Sequence, residues 1–438
     1  MTRLGARAAP PLTRGLLVSV GARALDLPCR YGFHLLIAAG LGVVDAGRFY
    51  IVFSAMVALA GLGRLGLDRA LTRQVAAARA TGRPAELRAA IRSAFRQILI
   101  ASTLVALLMA ALAHPIALTI LGKPDLALPL ALGALSIPPQ NLGAAAAGAL
   151  AGLQRIAQSQ MIYSWLWPAL FCLSALVCGT GFPDVLWQIA GSFTVAALIG
   201  GLLLRHGLGP AFRDERRVPP PPLLRPGLSL FTLELTQLMI ASAPALILGM
   251  AADNREVGLF SLSWRIALLI NIVTSGVTGM AAPKFAELNA LGDRDGLGRT
   301  ARQAIRLSVG LSLFPAIAMI SVPGPLLGLF GAGYEGGATT LRILALGQIV
   351  AACTTSMPDL LGMTGHTRAL RRINAFSLVV LLALTALLTP VFGAPGAAAA
   401  TALTIAVNGG AALVMASRLT GIRPWRAAPP PPSKEIMS

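Results

Sequence analysis

Apolar stretches of about 20 residues, the length of helix that crosses a ~30 Å hydrocarbon core, recur from one end of this chain to the other. Inside a bilayer the backbone must satisfy its own N–H and C=O groups, which such stretches do as helices. Composition agrees: 55% of the 438 residues are hydrophobic and 12% are charged, with a mean hydropathy of +0.73. Soluble domains sit nearer roughly 45–50% and 25%. An ordinary water-soluble protein is excluded, and no room is left for a large soluble domain. The expected fold is all-α, a polytopic transmembrane bundle of about twelve helices over 15–42, 47–67, 94–113, 126–151, 159–179, 185–204, 228–250, 257–280, 305–330, 338–362, 373–392 and 395–417. Pro323 and Pro325 blur the end of the ninth.

The 36 Lys and Arg outnumber the 17 Asp and Glu. In a soluble chain this would point to nucleic acid, but in a membrane protein it reads first as topology. With the N-terminus inside, all but seven basic residues fall on the cytoplasmic tails and loops. Arg48, Lys123, Arg255 and Arg342 lie near outer ends, and Arg23, Arg30 and Arg265 lie within spans. The even span count then places both termini in the cytoplasm, and no nucleic-acid binding is expected. Cys29, Cys172, Cys178 and Cys353 all sit in apolar segments, as small hydrophobes and not as a disulfide or metal framework. Arg3, Arg7 and Arg14 precede the first apolar stretch, but Arg23, Asp26 and Arg30 interrupt it, so it reads as a retained helix.

The chain repeats itself in the same orientation. Gly47-Arg-Phe-Tyr, Thr81-Gly-Arg-Pro with Ala90-Ile91-Arg92, and Gly152-Leu-Gln-Arg155 recur as Gly258-Leu-Phe-Ser, Gly292-Asp-Arg-Asp with Ala304-Ile305-Arg306, and Gly365-His-Thr-Arg368. Two parallel six-helix lobes follow, 1–204 and 227–420, joined by a Pro-rich cytoplasmic linker at 205–226 and followed by a cytoplasmic tail at 421–438. This is a transporter architecture, with substrate expected between lobes near the midplane. Residues 69–92 read as an amphipathic segment at the cytoplasmic interface, with Leu71, Val75, Leu87 and Ile91 opposite arginines.

Ionisable side chains within spans are costly and therefore informative. Arg23, Asp26, Arg30 and His34 are spaced 3, 4 and 4 residues apart, on one face of the first helix, with Pro28 expected to kink it. That face is either a basic stripe binding phosphate or carboxylate, with Asp26 holding an arginine, or an ion-pair network packing the helix in its lobe. Arg265 either joins the stripe from the second lobe or snorkels to the outer interface. Glu234, in the seventh span, is read as a carboxylate for proton or sodium coupling or as the partner of a buried arginine. Asp359 binds a cation or pairs with a cytoplasmic arginine.

Enzymatic motifs fail on inspection. Gly61-Leu-Gly63-Arg-Leu-Gly66 fits a dinucleotide fingerprint but ends a transmembrane span with no strand before it. No P-loop, H-E-x-x-H or C-x-x-C occurs, and the outer loops are short. An enzyme is not expected.

The run Asp45-Ala-Gly-Arg-Phe-Tyr50, Gly61 to Gly66 and Leu67-Asp-Arg-Ala-Leu-Thr-Arg73 resembles the polysaccharide-biosynthesis, O-antigen-type flippases of the multidrug/oligosaccharidyl-lipid/polysaccharide exporter superfamily. So do Val257 to Ser261 with Trp264-Arg265, Ala282 to Leu288, Leu341 to Gln348, and Leu360 to Gly365 with Arg368. The resemblance implies two lobes forming a V that opens alternately to either side of a bacterial inner membrane. The implied substrate is a polyprenyl-diphosphate-linked oligosaccharide, such as an O-antigen, capsule or exopolysaccharide repeat unit. It also implies a basic cavity, which fits Arg23, Arg30 and Arg265, with His34 beside them. No cofactor is expected; Na+ or H+ coupling would run through Glu234 or Asp359. Expected partners are the lipid-linked glycan, membrane lipids and the glycan polymerase or chain-length machinery. The alternatives are a cation-coupled drug or metabolite exporter of the same superfamily, an unrelated two-lobe uptake permease, and a non-transporting scaffold.

Overall fold

A computed structural model describes residues 12–208, 219 and 224–421, with the side chains of 12–24, 224–230, 232–237 and 273 outside that description. Among the described residues the structure is helical, with no strand. In chain order the helices are α1 (Leu12–Arg64), α2 (Leu67–Ala80), α3 (Pro84–Pro115), α4 (Ala127–Ala134), α5 (Ile137–Gly152), α6 (Ile156–Gln160), α7 (Leu166–Cys178) and α8 (Asp184–Leu208). They continue as α9 (Leu224–Ala251), α10 (Asn254–Ala290), α11 (Arg294–Ser321), α12 (Pro323–Gly328), α13 (Ala338–Thr354), α14 (Ser356–Met363) and α15 (Thr367–Thr420). Seven helical stretches among the described residues are long and apolar enough to cross a membrane, eight if the bent α10 is one span. Two of those stretches hold two expected spans each, because α1 breaks at Gly42 (φ 70°, ψ 173°) and α15 at Gly393 (φ 59°, ψ −134°). Both are backbone conformations that a Cβ disfavours.

Prolines set the other breaks. The expected span 126–151 divides at Leu135–Ser136, and Pro138 and Pro139 then occupy the first turn of α5, where a missing N–H costs nothing. Pro323 starts α12 and so ends the ninth span at Ser321. A π-turn at Met161–Trp165 precedes Pro168, and another at Ile116–Ile120 follows Pro115. Helical geometry runs on through Pro28, and the interruption of α1 lies fourteen residues later, at Gly42.

The chain divides into two compact units, Met1–Ser242 and Ala243–Ser438, with the boundary inside α9. In the first unit α1 packs on α3, α5 and α7, and α5 on α2, α3 and α8. Gly148 and Gly152 bring α5 against α2, since a Cβ at either would stand 2.7 Å from a carbonyl oxygen of Asp68 or Thr72. Thr72 Oγ1 donates to Gly148 O at 2.9 Å across that contact. Leu71, Val75, Leu87 and Ile91 are all buried in one cluster with Leu67, Ala145 and Leu150, as their spacing predicts. The apolar face of α2 is thus consumed by the protein itself. In the second unit α13 lies between α11 and α15, and α10 touches α11, α13, α14 and α15. Its core gathers Phe285, Ala301, Met357, Leu360 and Ala412.

Candidate functional site

The first arm of α1 carries two chemically distinct regions one turn apart. Arg30 Nη2 donates to Asp26 Oδ1 at 3.1 Å, with Nε at 3.4 Å from the same oxygen. The acid lies one turn N-terminal to the base, the favourable order on a helix. The Arg30 side chain is 47% exposed and that of Asp26 30%, so the guanidinium is oriented but not consumed. Asp26 engages one edge of a five-donor fork, and the remaining N–H groups can take a second oxyanion.

His34, next on the same face, is buried at 4% exposure, and its Nδ1 sits 3.2 Å from Tyr50 Oη. Residues 34 and 50 lie eight positions either side of Gly42, so the hairpin brings them together. Phe33 is the hub of this region, with ring centroids 4.8 Å from Phe171, 5.2 Å from Trp167 and 5.8 Å from Phe53, mostly edge-to-face. Trp167 in turn stacks on Phe193 at 4.6 Å. His34 therefore belongs to an aromatic interior, while Asp26 and Arg30 stay accessible.

The other expected residues distribute as follows. The side chains of Arg23 and Glu234 lie outside the described residues. Arg265 is half-buried on α10, in the second unit, near the buried Ser261 and Ser263. Asp359 is half-buried in the first turn of α14 and makes no ion pair among the described residues. Arg342 is exposed and donates Nε to Ile320 O at 3.0 Å. No three His, Cys, Asp or Glu side chains among the described residues are placed to share a metal ion.

Two features escaped the sequence. Glu256 Oε2 accepts from Ala394 N at 2.7 Å, tying the start of α10 to the break in α15. Arg48 bridges Asp45 on its own helix and Asp125 before α4, both at 2.9 Å. Asp45 and Arg48 are one turn apart, but the contacts that cross between elements have no local signature; Glu256 and Ala394 are 138 residues apart.

Comparison with known proteins places this geometry. A family model described as polysaccharide biosynthesis protein matches residues 12–289, more than half of the chain, and the MatE model matches 232–388. An inward-facing multidrug resistance MATE family transporter of the MOP superfamily superposes with a TM-score of 0.74 at 12% identity, covering 92% of this chain and 98% of the other. The lipid II flippase MurJ, in an inward closed conformation, gives 0.68 at 13%, covering 92% and 87%. The Vibrio cholerae MATE transporter VcmN gives 0.57 at 15%, covering 93% and 98%. At such identities the likeness is one of fold. No curated protein matches the sequence.

Proposed function

Because the chain belongs to the polysaccharide biosynthesis protein family, within the multidrug/oligosaccharidyl-lipid/polysaccharide exporter superfamily, we propose that it is a flippase for a polyprenyl-diphosphate-linked oligosaccharide in a bacterial inner membrane. The observation that carries this reading is the Arg30–Asp26 pair, a charge held in an apolar helix on a side chain that is about half exposed. A buried charge that served packing alone would be enclosed, as intramembrane charges are costly to leave unsatisfied. Arg30 binds a diphosphate oxygen through its outer N–H groups while Asp26 fixes the fork; Arg23 and Arg265, each within an apolar span, are the further candidates for phosphate contact that the sequence supplies. His34 fixes the hairpin that presents this pair. The glycan moves through a polar path by alternating access while the lipid tail stays in the bilayer. Asp359, a half-buried carboxylate with no ion pair among the described residues, or Glu234 supplies the cation coupling that resets the cycle. The termini face the cytoplasm, and the glycan polymerase or chain-length machinery is the protein partner this reading expects.

In cells lacking the protein, a complete lipid-linked repeat unit should accumulate, shielded from a glycan-modifying reagent added to spheroplasts. Replacing Arg23 and Arg30 together with alanine should reproduce that accumulation with normal insertion; normal export would remove the clamp. A second reading, a cation-coupled drug or metabolite exporter, is favoured by the MatE match. It predicts an unchanged lipid-linked pool and a transport defect in Asp359→Asn.

A further inference from the structure

The hairpin of α2 and α3 carries a charge distribution that transport does not use. Between residues 69 and 96 it has seven arginines and, with Asp68 just before them, only two acids nearby. Asp68 is buried at 8% exposure, and Glu86 is held by Arg83 at 3.1 Å. Arg73 on α2 and Arg92 and Arg96 on α3 are exposed and make no ion pair or hydrogen bond among the described residues. Arg92 and Arg96 are one turn apart on one face. The tight turn at Gly82 (φ 66°) and the shared packing of Leu71 and Val75 with Leu87 and Ile91 fold α2 back along α3, with Arg73 exposed on α2. Like charges one turn apart, as Arg92 and Arg96 are, repel one another unless an anion lies over them.

The matching segment of the second unit is built differently. There Lys284 pairs with Glu287 at 2.9 Å, Arg299 with Asp293 at 3.8 Å, and Asp295 lies in the first turn of α11. Arg294 and Arg306, the latter the counterpart of Arg92, are exposed and make no ion pair among the described residues there, so the second segment differs by its additional acids. Depth supplies the second constraint. The helical stretch Pro84–Ile120 has 37 residues, about 55 Å at 1.5 Å per residue, whereas the hydrocarbon core is ~30 Å thick. Its apolar run begins at Ile98, directly after Arg96 and Gln97, which sets Arg92 and Arg96 at headgroup level.

We propose that Arg73, Arg92 and Arg96 form a docking site for the phosphate headgroups of anionic phospholipids. The apolar face of α2 is buried against α3 and α5, so the hairpin holds these lipids through charge and bidentate guanidinium–phosphate contacts and inserts no apolar face of its own. The site is independent of the transport substrate.

The test uses the full-length protein in detergent micelles, titrated with phosphatidylglycerol or with phosphatidylcholine of the same chains, counting co-eluting lipid by mass spectrometry at low and high salt. Phosphatidylglycerol should be preferred, the preference should fall with salt, and each Arg→Gln change at 73, 92 or 96 should weaken it about five-fold, the equivalent of ~1 kcal/mol per charge. The paired control Lys284→Gln with Glu287→Gln should leave it unchanged. Single variants keep the result readable if the triple variant fails to fold. Equal retention of both lipids, or wild-type retention by the single variants, overturns the proposal. So does displacement of phosphatidylglycerol by a polyprenyl phosphate at equal mole fraction, since the occupant would then be the carrier lipid.

Discussion

Each unit contains one helix that doubles back at a glycine, and the two hairpins are glued by different chemistries. In α1 the arms meet through Phe33, Phe49, Phe53 and the His34–Tyr50 contact, with Trp167 and Phe171 of α7 closing over them. In α15 the amide of Asn408 donates to Asn374 Oδ1 at 3.2 Å and to Ser377 Oγ at 2.9 Å, and Thr385, Thr389, Thr401 and Thr404 are buried along the same helix. At the apex Glu256 accepts from the first amide after the break. Aromatic glue depends on shape and area, polar glue on a few directed bonds. The repeat therefore preserves the path of the chain but not the means of holding it. The accessible Asp26–Arg30 pair sits one turn from the aromatic hub, on the hairpin that packs through rings.

The difference can be broken at its strongest point first. Phe33→Ala should cost ~3–5 kcal/mol, the range for a buried aromatic that leaves a cavity, and thermal unfolding of the purified protein in detergent would show it. An unchanged transition would mean that the aromatic hub does not hold α1. Removing the apex acceptor with Glu256→Ala orphans Ala394 N–H and should cost about 1–3 kcal/mol; Glu256→Gln, which keeps an acceptor oxygen, should recover much of it. Asn408→Ala should lower stability by roughly 0.6–1.7 kcal/mol, as membrane-embedded hydrogen bonds do. A double-mutant cycle with Asn374→Ala should then show coupling between the two amides. Tyr50→Phe should have the smallest effect, about 0.5–1.5 kcal/mol, and should leave the Arg30-dependent function intact. If Tyr50→Phe abolishes function while stability holds, the His34–Tyr50 pair does more than position α1.

Much of the fold was legible. Apolar runs marked the spans, the spacing of Leu71, Val75, Leu87 and Ile91 marked the buried face of α2 and α3, and Pro323 marked a break that the structure contains, whereas the kink expected at Pro28 is absent and the break before Pro138 and Pro139 falls inside a span read as continuous. The candidate site was legible only in part. Helical spacing put Asp26 and Arg30 in reach of each other, and they are bonded. The same spacing grouped His34 with them, yet the returning arm at Tyr50 encloses it. Phe33 carries no charge and belongs to no motif, although an aromatic run of Phe49, Tyr50 and Phe53 across a glycine turn is a usable sign. Asn374 and Asn408, amides within apolar spans, were another.

The sequence by itself determined that this chain spans a membrane as helices, that it repeats, and that charge is concentrated on its first helix and on the arginine-rich segment after Arg64. These follow from local periodicity and hydropathy, which the bilayer enforces residue by residue. Only the tertiary structure decided which of those charges stay open: His34 closed in by Tyr50, Arg30 left half exposed, Glu256 committed to Ala394, Arg73 turned outward by the burial of Leu71 and Val75. Exposure is set by whichever arm or helix packs on a face, and contacts formed across 16 residues, as at His34, or 138, as at Glu256, leave no imprint on the spacing of either partner.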